Sequence, residues 1–162
     1  MTAKGLLKKV ETLQKDTDAI VVHVFDAHKA DLVAINNNQL YDGKTRFESD
    51  LLPSYFDDPY FKTKAAAIAY SDWKERITPN PKRKLGTPNL FINGYYHASR
   101  HVDIFIDKIY YHADYKQNEI EKKYGTGING LGGEYKILFL QAFISPAFFI
   151  KVNEVTGLKS NK

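Results

Sequence analysis

The chain has 162 residues, 43% hydrophobic and 26% charged, with a formal net charge of +4 from 23 Lys+Arg against 19 Asp+Glu. Such a composition fits one folded domain over residues 1–162 and argues against a disordered chain. The absence of cysteine excludes disulfides and Cys-based metal sites or nucleophiles, while the mild basic excess permits a nucleic-acid or acidic partner without requiring one.

In chain order, Leu6, Val10 and Leu13 fall at i, i+4, i+7 and predict a helix over Gly5 to Lys15. Asp16-Thr17-Asp18 offers N-cap residues for a second helix, about Ala19 to Asn36, which Asn36-Asn37-Asn38 would close. Residues 39–59 carry Asp42-Gly43, two prolines and scattered aromatics, and read as a long irregular loop. A short helix is expected over Tyr60 to Ala69. A second long loop, about 75–89, follows: the X-Pro steps in Thr78-Pro79-Asn80-Pro81 resist helix and predict an extended, exposed arm bearing Lys82-Arg83-Lys84.

Val102, Ile104 and Ile106 alternate with Asp103 and Phe105, and Ile109-Tyr110-Tyr111-His112 is β-prone. A turn near Asp107-Lys108 would join the two as a hairpin. Asp114 to Lys123 reads as a charged helix ended by Gly125. Tyr135 to Val155 reads as a final apolar helix, buried, kinked or split by Pro146 and closed by Gly157. The fold class is therefore α+β, with N-terminal helices, a central antiparallel hairpin and C-terminal helices.

The N-terminal stretch Met1 to Lys9 lacks the long apolar core of a secretion signal. The longest apolar run, Ile137 to Ile150, has 14 residues. A bilayer needs about 20, so no membrane partner is expected.

Five glycines in Lys123-Tyr124-Gly125-Thr126-Gly127-Ile128-Asn129-Gly130-Leu131-Gly132-Gly133-Glu134 invite a phosphate-loop reading. Gly127 and Gly132 have the required five-residue step, but Gly133 stands where lysine is needed, and neither Ser nor Thr follows. The favoured reading is a structural elbow at Tyr124, Gly125, Gly127 and Gly130, with no cofactor. His97, His101 and His112 could converge on zinc. Asp103 is expected on the opposite strand face, however, and the histidines read better as surface or interface residues, so no metal site is assigned. No Gly-x-Ser-x-Gly elbow or paired carboxylates mark a catalytic centre. The Lys82, Arg83, Lys84 cluster, with Trp73 and several tyrosines near it in sequence, reads as a solvated loop or an arm that pairs with acidic residues of a neighbouring subunit. Nucleic-acid contact is the alternative.

Several short motifs occur in a suggestive order: Gln39-Leu40-Tyr41-Asp42-Gly43, Pro53-Ser54-Tyr55, Tyr60 with Lys62 and Lys64, Asn93-Gly94-Tyr95-Tyr96, and Lys123-Tyr124-Gly125-Thr126-Gly127-Ile128-Asn129-Gly130-Leu131. Together they resemble a family of small phage and prophage proteins of Bacteroides-type bacteria, themselves similar to siphophage tail-completion or head–tail joining proteins. The chain departs from that pattern at Asn93, where a Thr-Gly step is usual, and at Leu85-Gly86-Thr87-Pro88. The resemblance implies a non-enzymatic virion protein that assembles as a ring at the neck or tail end, in the virion or in the host cytoplasm during assembly. Its partners would be itself and other neck or tail proteins, with Tyr41, Tyr55, Trp73, Lys82, Arg83 and Lys84 as candidate interaction residues. A small nucleic-acid-binding phage accessory protein is the competing reading.

Overall fold

A computed structural model describes residues 2–157. Helices α1 (Ala3–Ala27), α2 (Lys29–Tyr41), α3 (Lys64–Ile77) and the one-turn α4 (Tyr95–Ala98) precede an antiparallel ribbon of β1 (Arg100–Ile104) and β2 (Ile109–Ala113). Helix α5 (Gln117–Tyr124), a 3₁₀ turn (Thr126–Ile128), α6 (Gly133–Phe139), a π-helical turn (Leu140–Ile144) and α7 (Ser145–Thr156) complete the described chain. The arrangement is α+β, with helices at both ends and a two-stranded sheet between them.

The first two helices divide later than the sequence predicts. Thr2 caps α1 by accepting from the Gly5 N–H, and the helix runs without a break through Asp16-Thr17-Asp18. Thr17 turns its hydroxyl back to the Leu13 carbonyl at 2.8 Å, and Asp16 pairs with Lys151 of α7 at 3.0 Å, so both polar side chains are satisfied inside the helix. The break falls at His28, which leaves helical geometry at φ −116° and binds Asp31 through Nδ1 at 2.9 Å.

Helix α3 starts later than expected because Thr63 is its cap, accepting from the Ala66 N–H at 3.2 Å. It also runs further, to Ile77, and ends just before Pro79. Residues 75–89 are thus no exposed arm. Thr78, Arg83, Thr87 and Asn89 are buried, and the segment packs back on α2 and α3. The first loop is shorter than predicted at its start, because Gln39, Leu40 and Tyr41 close α2.

The ribbon agrees with the alternation in its sequence as far as Ile104, whereas Ile106, expected to continue it, lies beyond β1 in the turn and is exposed. Val102 faces Tyr111 across the strands, and both turn inward, while His101, Asp103, Tyr110 and His112 turn outward. Val102 and Tyr111 join Val24, Leu32, Phe139 and Ile144 in one core cluster. A second cluster holds Leu40, Leu51, Tyr96, Ala113 and Ile128. Helix α2 links the two, with Leu32 in the first and Leu40 in the second, each side chain worth roughly 2–3 kcal/mol of burial.

The final helix is neither broken nor separated at Pro146: α6, the π-helical turn and α7 follow one another without leaving helical geometry, and Pro146 comes two residues after the π turn. Gly157 ends it at φ 72°. The expectation that this apolar helix is buried is not met. Helix α7 contains no buried residue, and only Tyr135, Phe139 and Ile144 of the preceding turns are buried. A helix that is apolar on all sides has been covered on one.

Candidate functional site

The glycine stretch is a junction between α2 and α6. Gln39 accepts the Gly132 N–H at 2.6 Å and donates to the Gly130 carbonyl at 3.0 Å, where Asn36 also donates at 2.8 Å. Arg46 donates its backbone N–H to Gly127 at 2.8 Å, and the Tyr135 hydroxyl donates to Asp42. Four backbone N–H groups of the stretch are committed within the protein: Gly125 to Glu121, Asn129 to Thr126, Gly132 to Gln39 and Glu134 to Glu48. Only Gly125 and Gly130 of the five take positive φ, at 76° and 120°. Two of the motifs that carry the family resemblance, around Gln39 and around Gly130, therefore hold each other.

The basic cluster does not form one face. Lys82 is mostly exposed, 3.7 Å from Asp42, and Lys84 is exposed. Arg83 between them is buried, with Nε and Nη2 on Glu75 at 3.2 and 2.7 Å. It also donates to the Thr78 carbonyl at 2.9 Å, and its guanidinium lies 5.9 Å from the centre of the Tyr41 ring. Sequence reasoning missed this because Glu75 is eight residues away and comes close only when α3 extends to Ile77. Tyr41 meets Phe91 edge-on, and Trp73 stands partly exposed against Tyr70.

The histidines separate. His97 is buried, its Nε2 3.3 Å from the Asn89 carbonyl oxygen, and burial beside Arg100 lowers its pKa to about 4. His101 and His112 stack across the ribbon with ring centres 5.2 Å apart. Asp103 lies on their face, not on the opposite one, and meets His112 at 3.2 Å, because residues two apart in a strand share a side. Among the described residues no group of three or more His, Asp or Glu is placed to hold a metal ion.

A cleft of about 640 Å³ opens between the loop after α2, the middle of α3 at Tyr70 and Lys74, the segment around Phe91 and α5. Tyr55, Phe61, Tyr70, Phe91, Tyr96 and Tyr124 line it, with Tyr60 and Ile92 exposed at its rim. Its rings are fixed by edge-on and tilted contacts: Tyr55 with Tyr70 at 4.9 Å and Phe61 with Tyr70 at 5.1 Å. Burial pushes the Tyr55 and Tyr124 phenols well above their ordinary range, so their hydroxyls stay protonated. Lys74, almost fully buried, donates to the Phe91 carbonyl, and burial draws its ammonium down to about 8. Asp58 and Lys123 form an ion pair on the same wall. Of the candidate interaction and elbow residues only Tyr55 and Tyr124 meet here, joined by Tyr60, Asn93, Tyr96 and Lys123 from the other motifs of the resemblance. The remaining rings come from segments whose convergence has no local sequence signal.

A second exposed feature lies on the C-terminal helices. Ile137, Leu138, Leu140, Phe149 and Ile150 are 40–70% exposed, and Phe149 is the most open of them. Leu6, Leu7 and Val10 of α1 are also exposed. By length and composition alone, Thr126–Thr156 reaches the measure of a membrane-crossing helix, with a window of mean hydropathy 1.4. Its uncharged run, bounded by Lys136 and Lys151, spans about 21 Å of helix against the roughly 30 Å of a hydrocarbon core. Its inner side is also taken, by the Phe25–Phe139 stack and by the Asp16–Lys151 pair.

Comparison of the chain with protein-family models, with curated proteins and with solved structures finds no match.

Proposed function

We propose that this chain is a non-enzymatic virion structural protein of the head–tail joining or tail-completion kind, which works by assembling with copies of itself into a ring. The observation that carries the reading is the uncovered outer side of α6 and α7. With the open residues of α1 it leaves eight large apolar side chains 40–70% exposed, and uncovered apolar surface of this kind marks interaction sites. The family resemblance supplies the setting, the virion neck or tail end.

The competing nucleic-acid reading needs Lys82, Arg83 and Lys84 on one phosphate-facing surface, whereas Arg83 is engaged with Glu75. Light scattering and negative-stain imaging of the purified protein, with and without DNA at low and moderate salt, test the proposal. A defined ring, or a species indifferent to DNA, supports it. A salt-sensitive DNA complex that disappears in the Lys82→Ala/Lys84→Ala double variant overturns it.

A further inference from the structure

The tripeptide Ile-Asn-Gly occurs twice in the chain, as Ile92-Asn93-Gly94 and as Ile128-Asn129-Gly130, and the fold treats the two copies oppositely. We propose that Asn93–Gly94, at the wall of the aromatic cleft, is a site of spontaneous deamidation, and that the elbow protects Asn129–Gly130 from the same reaction. In this chemistry the backbone nitrogen of the glycine loses its proton and attacks the asparagine Cγ. The new C–N bond closes a five-membered succinimide, the Cγ–Nδ2 bond breaks, and the side-chain nitrogen takes up a proton and leaves as ammonia. Water then opens the ring at either carbonyl, giving aspartate or isoaspartate. The sum is an amide and a water converted to a carboxylic acid and ammonia, with no change of oxidation state.

Asn93 is exposed where it lines the cleft, so solvent reaches its amide. Glycine has no side chain to shield its nitrogen, and among the described residues nothing accepts the Gly94 N–H. The Tyr95 N–H donates to Asn93 Oδ1 at 3.2 Å, the oxygen on which negative charge develops as Cγ is attacked. At the elbow nothing described accepts the Gly130 N–H either, so the contrast lies in the asparagine. Asn129 Nδ2 donates to Glu121 at 2.6 Å, and its Oδ1 accepts from the buried Arg100 at 3.3 Å. A ψ of 107° turns the Gly130 nitrogen away from the Asn129 side chain, whereas ring closure needs that nitrogen eclipsed with Cβ. Swinging the amide round would also strand a buried guanidinium N–H of Arg100. Deamidation at residue 93 places a carboxylate on the cleft wall, and the isoaspartate product also lengthens the backbone just before α4. Neither ring assembly nor a virion setting is needed for it.

The test incubates the full chain in mildly alkaline buffer, folded in one sample and unfolded by guanidinium chloride in the other. Tryptic peptides 85–100 and 124–136 carry the two sites separately. Mass spectrometry follows the gain of one mass unit that replacing NH2 by OH produces, and fragment ions separate Asn93 from Asn89 in the first peptide. In the folded chain Asn93 is expected to react at least about tenfold faster than Asn129, and unfolding is expected to close that gap, because the two sites share their tripeptide. Aspartate and isoaspartate forms of the 85–100 peptide, equal in mass and separated by chromatography, identify the succinimide route, since direct hydrolysis of the amide gives aspartate alone. An intact Asn93 in the folded chain, equal rates at both sites, or an aspartate product alone overturns the assignment.

Discussion

Gln39 accepts the backbone N–H of Gly132 at 2.6 Å across 93 residues of sequence, and through this bond the end of α2 fixes the start of α6. Replacing Gln39 by Ala strands the Gly132 N–H and removes one of two donors from the Gly130 carbonyl. A loss of about 3 kcal/mol in unfolding free energy is expected, measured by urea titration. Loss of less than about 0.5 kcal/mol would mean that Asn36 and water hold the elbow unaided.

Arg83 and its two neighbours should separate cleanly. Arg83→Ala removes a fully covered guanidinium from Glu75 and from two backbone carbonyls, and about 3 kcal/mol of destabilisation is expected. Lys82→Ala and Lys84→Ala, at exposed positions, should each stay within about 0.5 kcal/mol. Equal effects at all three positions would contradict the burial of Arg83.

The glycines of the elbow are likewise unequal. Gly125 sits at φ 76°, ψ 170°, a region closed to side chains, although nothing crowds it. Gly125→Ala should cost about 2 kcal/mol through the backbone alone. Gly127 has ordinary φ and 3.4 Å to the nearest Phe47 atom, so Gly127→Ala should be close to neutral in the same melts.

His97 gives the protein a pH-dependent component of stability. The unfolded chain takes up its proton near the ordinary 6.5, whereas the folded chain holds the ring neutral down to about 4. Between these values the unfolded state binds more protons, so stability is full above pH 6.5 and falls as the pH drops toward 4. The loss is on the order of 3 kcal/mol. Urea midpoints at pH 7 and 4.5 measure it, and His97→Gln should flatten the profile. An unchanged slope in that variant would assign the effect to other groups.

The parts of the fold that were legible in sequence are those set by local chemistry. Val102 and Ile104 alternating with Asp103 gave the ribbon, and Gly125 and Gly157 marked helix ends through their access to positive φ. Long-range partners decided what was not legible. Asp16 and Thr17 resembled a helix start until Lys151 and the Leu13 carbonyl engaged them. Lys82-Arg83-Lys84 resembled a basic patch because Glu75 was assigned to a loop, and the pairing needed one more turn of α3. The aromatic cleft joins rings from residues 55–61, 70, 91, 96 and 124, a convergence that no window of sequence contains. An apolar run as even as Ile137 to Ile150 does not announce which of its sides will be covered.

The turn at Leu140–Ile144 makes that choice. In a regular helix Phe139 would share its inward stripe with Phe143, Pro146 and Ile150, at steps of three or four residues. The π geometry widens one step to five, so Ile144 falls beneath Phe139 and every later residue is rotated by about 100°. Lys151 thereby reaches Asp16, and Ile150 swings outward. One extra residue thus acts as a phase shifter: deleting it would turn Ile150 toward α1 and present a different edge of the rod to the outside.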